Sequence, residues 1–162
     1  MSGRWHLLHP MVVHFPIALL LTGAAARLWS GRRRAPGWLE DASTALLWLG
    51  AASAWAALGL GHLAEDSAAH VPPAWRVLHD HEGAAWWTAG WFTALSAAEL
   101  WRRRLPVPRP YARAATLAAW LLGLALLGRT AYLGGELVFR FGMGVGEALG
   151  EEAIEEALDE QG

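Results

Sequence analysis

Seven histidines and no cysteine bound the chemistry open to this chain. Thiolate nucleophiles, disulfides, iron–sulfur clusters and cysteine-ligated zinc are excluded, so any ligation of a metal or cofactor runs through imidazole and carboxylate. The stretch His9 to Leu21, HPMVVHFPIALLL, is apolar enough to enter a bilayer, yet it carries His9, His14 and two prolines. His6 precedes it, His62 and His70 follow in mid-chain, and His79 and His81 stand in HDHEG. Two neutral imidazoles on facing helices suit both axial positions of an iron porphyrin, whereas three suit zinc or copper. Either use requires elements that bring distant histidines together.

Composition says what those elements are. The 162 residues are 54% hydrophobic and only 17% charged, lean in charge for a water-soluble domain. Eleven Trp point to the bilayer interface, where an indole keeps an apolar face in lipid and its N–H in water. All thirteen basic residues are Arg, and the net charge of -2 argues against nucleic acid as a partner. Four windows reach the roughly 20 apolar residues that a helix needs to cross hydrocarbon: 10–29, 42–61, 83–101 and 114–133. The predicted fold is therefore all-α, a four-transmembrane-helix bundle over residues 1–146. An acidic tail, 147–162, has its apolar residues at the spacing of a short amphipathic helix on the outer side. Pro10 is placed in the first turn of span one and Pro16 deeper, where a kink is expected. Small residues in span two predict close approach of a neighbouring helix. A secretory signal running from Arg4 through the apolar core to GAAAR at 23–27 is disfavoured, because His14 and Pro16 would interrupt that core.

Arginines set the orientation. Arg32, Arg33 and Arg34 follow span one, and Arg102, Arg103, Arg104 and Arg109 follow span three, while the loop between spans two and three holds only Arg76. By the positive-inside rule the Arg-rich loops are cytoplasmic and both termini face outward. All seven histidines then fall near the outer face. His14 lies about one turn inside its helix, and an ionisable residue at that depth marks a functional site. His9, five residues away, does not share its face. His6 and His70 read as ordinary hydrogen-bonding residues.

Arg129, near the outer end of span four, needs a partner: an anionic ligand group such as a haem propionate, or Glu136 seven residues on. Arg140 is a second, less buried candidate for the same role. Arg32–Arg34 and Arg102–Arg104 stand 70 positions apart, as do His9 and His79, a faint repeat that fits two similar helical hairpins. After span four, the glycine-rich segment 134–146 is expected to lie at the outer interface and fold over the helix ends.

HPMVVHFPIALL, HDHEG and GGELVFRFGMGV together resemble the bacterial membrane-protein family catalogued as domain of unknown function 2231. The resemblance covers most of residues 9–146. It implies four spans and, through the family's fusions to Rieske and cytochrome c modules, redox work at the outer face. His9, His14, His81 and GGELV match the family pattern, while Phe139 and Phe141 stand where Tyr and His are expected. The expectation is haem b held by His14 and His81, with His62 or His79 as substitute ligand. The protein would carry electrons between a quinol or other membrane partner and a periplasmic redox protein, and would not be a stand-alone enzyme. The rivals are a zinc or copper site of His14, His62 and His81, with Glu136 as a further donor, and a structural subunit of a homo-oligomer or larger membrane complex.

Overall fold

The computed structural model describes residues 5–32, 35–65, 74–102, 104 and 109–143. Five helices follow in order: α1 Trp5–Val12, α2 His14–Trp29, α3 Trp38–Glu65, α4 Trp75–Arg102 and α5 Arg109–Phe139. Successive helices α2, α3, α4 and α5 pack on one another, α5 returns to α2, and α1 leans on α3. This ring is the expected all-α membrane bundle, with α2 and α4 on one diagonal. Leu8–Trp29, α3 and Tyr111–Phe139 are each long and apolar enough to span a bilayer. α4 equals α3 in length, but its Trp residues and charged first turns dilute its hydropathy; it joins the bundle through its packing on α3 and α5.

Each helix overruns its apolar window. Span one starts before Pro10, and the break falls at Val13, between the two prolines. Proline has no N–H to donate, so neither Pro10 nor Pro16 can bond to the carbonyl four residues back, and the chain turns between them. α5 continues through Gly134 and Gly135, so 134–139 is helix and not the interfacial strap that its glycines suggested. The stop comes at Gly142, whose φ of 65° suits glycine: its N–H bonds to the Val138 carbonyl and that of Met143 to Leu137. The expected tail helix, 147–162, lies outside the described residues.

In a bilayer, lipid tails are as apolar as the helices, and close packing and interhelical hydrogen bonds replace the usual hydrophobic drive. The core accordingly sits where small residues admit large ones: Leu20, Leu47, Phe92, Leu95, Trp120 and Leu127 form one cluster. A Cβ at Gly50 would stand 2.6 Å from Leu20 Cδ2, and one at Gly123 would stand 2.7 Å from Phe92 Cζ. Leu20 and Phe92 are 72 positions apart and the glycines beneath them 73. The same offsets relate buried Ser43 to Thr116 and Leu47 to Trp120. Two helical hairpins thus repeat one contact scheme. The offset is 72–73 positions and not the 70 of the Arg clusters, so His9 corresponds to His81 and not to His79.

Equivalent residues also meet at the Arg-rich end. Arg27 of α2 donates through Nη2 to both oxygens of Glu99 of α4, at 3.0 and 3.2 Å, and both side chains are buried. Arg102 adds bonds to Glu99, and Glu40 of α3 accepts from Arg27 and Arg102. Removing one member of a buried pair strands a charge in a low-dielectric interior, which is costlier than removing both. Glu99→Gln is expected to destabilise the bundle by about 3 kcal/mol, and Arg27→Leu/Glu99→Leu to recover most of that loss. Unfolding of the detergent-solubilised variants measures both, and an unchanged midpoint for Glu99→Gln would contradict this role for the pair.

Candidate functional site

Five helical turns separate His9 from Arg27 in sequence, and the same 18 positions separate His81 from Glu99. At 1.5 Å per residue the histidines lie about 27 Å from the ion pair, close to the hydrocarbon thickness, at the opposite end of the same diagonal. The two imidazoles are held alike. His9 Nδ1 is 2.9 Å from the Ala57 carbonyl of α3, and His81 Nδ1 is 3.0 Å from the Thr130 carbonyl of α5. A carbonyl only accepts, so each Nδ1 carries the proton and donates it. That tautomer leaves each Nε2 with a free lone pair. Among the described residues neither Nε2 has a hydrogen-bond partner and neither is sealed from solvent.

Glycine makes the ring positions possible. A Cβ at Gly61 would lie 3.2 Å from His9 Cε1, and one at Gly134 would lie 3.0 Å from His81 Cε1. Each glycine is one turn beyond the carbonyl that its histidine bonds. Thr88 of α4 steadies the second half: its hydroxyl is 2.9 Å from that of Thr130 and donates to the Ala84 carbonyl at 2.8 Å. Two imidazoles with Nδ1–H fixed on main-chain carbonyls are what a metal-ligating pair requires, since the outer hydrogen bond sets the tautomer and raises ligand basicity.

His14 was the expected partner of His81; in the structure it is His9 whose imidazole is held, like that of His81, on a main-chain carbonyl of a neighbouring helix. His14 is exposed, and its Nδ1 is 2.8 Å from the Pro10 carbonyl one turn back in its own chain. The break at Val13 follows from Pro16, which cannot bond to the Val12 carbonyl, and on the α1 side of it His9 meets α3. His62 is grouped with Glu65 and Glu82, not with two further imidazoles. His79 is largely exposed, with Nδ1 3.7 Å from Glu82 Oε2. His6 lies on α1, and His70 falls outside the described residues. Arg129 is exposed on α5, next to Thr130, and is not bonded to Glu136, which pairs instead with Arg140 one turn on. Arg140 also lies over the Phe141 ring at 5.2 Å.

Sequence reasoning missed Glu99, Gly61 and the carbonyls of Ala57 and Thr130. Glu99 had a signal, being a carboxylate inside an apolar window. The carbonyls had none, because every residue has one.

The glycines give a direct test. Gly→Ala in a helix normally stabilises by about 0.5–1 kcal/mol, and Gly59 and Gly128 have open space where a Cβ would go. Gly59→Ala and Gly128→Ala should therefore raise the unfolding midpoint, whereas Gly61→Ala and Gly134→Ala should leave it unchanged or lower it as the added methyl pushes the ring off its carbonyl. Equal gains at all four positions would contradict the placement of the two rings.

No curated protein and no solved structure matches the chain. The family model described as "Predicted membrane protein (DUF2231)" matches residues 5–147, which include both imidazoles, their carbonyls, their glycines and the Arg27–Glu99 pair. The chain belongs to that family, the domain of unknown function 2231.

Proposed function

We propose that the chain binds one b-type haem through His9 and His81 and passes electrons at the outer face of a bacterial inner membrane. The observation that carries this reading is the matched pair of Nδ1–H donors, which leaves two Nε2 lone pairs on diagonal helices at one end of the bundle. The donor set fits the group: His9 and His81 would hold haem iron through two neutral imidazoles, as bundles build such sites from facing helices. When bound, haem would supply one-electron transfer. The chain's own residues orient the rings, through Ala57 and Thr130, and keep them neutral in an apolar setting. Arg129, exposed beside Thr130, is the cation best placed on α5 for a propionate.

Orientation follows from the arginines, with the Arg-rich loops in the cytoplasm and both termini in the periplasm. A quinol in the membrane and a redox protein outside it are the partners that this placement serves. Absorption spectra of the purified protein, oxidised and dithionite-reduced, test the reading. Wild type should show sharp reduced haem bands at one haem per chain. His9→Ala and His81→Ala should each lose them, and His14→Ala should keep them. A colourless wild type expressed with adequate haem, or bands that vanish only in His14→Ala, would overturn the reading; a colourless protein carrying zinc or copper on the same two histidines would replace haem with a metal ion.

A further inference from the structure

A second group of ligating side chains gathers beside the imidazole pair, and the electron-transfer reading does not use it. The last turn of α3 carries His62 and Glu65, and the first turns of α4 carry His79 and Glu82. Both are His-x-x-Glu, a spacing of three that puts an imidazole and a carboxylate on one helical face. The fold turns the two faces toward each other. His62 Nε2 is 3.3 Å from Glu82 Oε1, His62 Nδ1 is 3.8 Å from Glu65 Oε2, and His79 Nδ1 is 3.7 Å from Glu82 Oε2. One ligand atom from each of His62, Glu65 and Glu82 lies within 4.8 Å of the others.

These separations stand at or beyond the outer edge of hydrogen bonding, and two carboxylates converge on one imidazole. One donor atom from each of three side chains around a central ion, each about 2.0–2.2 Å from it, falls within the 4.8 Å that spans His62, Glu65 and Glu82; His79, largely exposed, stands outside that group. The Trp86 ring, with its centroid 6.2 Å from that of His62, screens one flank. Its edge-on contact with Trp55 at 5.3 Å ties that flank to α3.

We propose that His62, Glu65 and Glu82 bind one divalent transition-metal ion, zinc in the first instance, which fastens the end of α3 to the start of α4. One imidazole and two carboxylates give a borderline donor set and a net charge that a divalent cation neutralises. Three protein ligands leave one position for water, and the ion would link the two hairpins at the same end as His9 and His81. Metal affinity depends on deprotonated ligands and falls as imidazole takes up a proton on acidification.

The test uses the full chain in detergent, stripped with chelator and titrated with zinc alone at neutral pH against a chromophoric competitor. Wild type should take up zinc at one equivalent per chain and unfold at a higher temperature when zinc is present. His62→Ala and Glu82→Gln should each weaken that binding at least tenfold and abolish the thermal shift. His9→Ala should retain both. Zinc binding that survives in His62→Ala and Glu82→Gln, or that is lost in His9→Ala, would overturn the proposal; the second result would place the ion at the imidazole pair and would count against the haem reading as well. Failure of His62→Ala to fold is covered by Glu82→Gln, a nearly isosteric change.

Discussion

The structure depends on one interhelical hydrogen bond made twice. In each hairpin a histidine on the first helix donates Nδ1–H to a main-chain carbonyl on the second, His9 to Ala57 and His81 to Thr130. A helical carbonyl already accepts from the amide four residues on, and its second lone pair is free. Spending that lone pair on an imidazole ties the helices together without a second polar side chain in the apolar interior. Glycine one turn further on lets the ring lie flat against the backbone. The consequence reaches beyond packing, because a bonded Nδ1–H fixes the tautomer and directs the lone pair of Nε2 elsewhere.

The far end of the bundle solves the complementary problem. Arg27 and Glu99 occupy equivalent positions in the two hairpins, yet they carry opposite charges. Two copies of either residue would repel across the diagonal; one of each attracts, and Arg102 and Glu40 satisfy the remaining valences. The repeat is thus kept in apolar and backbone contacts and broken where charge requires it. One end buries an Arg–Glu pair and the other holds two imidazoles on main-chain carbonyls, so the two ends of the bundle differ in chemistry.

Most of the architecture was legible in the sequence because hydrocarbon length and Arg bias are statistical properties of long windows. The windows 42–61, 83–101 and 114–133 lie within α3, α4 and α5. What was hidden was finer than a window. The flanking turns Trp75–Glu82 are too polar to register as span, though they continue α4 and carry its three histidine and glutamate donors at this end, His79, His81 and Glu82. The glycines at 134 and 135 looked like helix breakers, but α5 runs through both and Gly134 leaves room for His81. The choice of His14 followed from depth along an uninterrupted helix; the structure has a break at Val13, His14 exposed and His9 held on the Ala57 carbonyl. Resemblance to the family marked both histidines alike and did not separate them.

The account stands on the protonation of two ring nitrogens, and side-chain nitrogen NMR of ¹⁵N-histidine protein reads that directly. In the chain prepared without cofactor, with resonances assigned through His9→Gln and His81→Gln, both imidazoles should be neutral at pH 7 with the proton on Nδ1. Finding either ring protonated on Nε2, or exchanging freely between tautomers as an unbonded imidazole does, would contradict it.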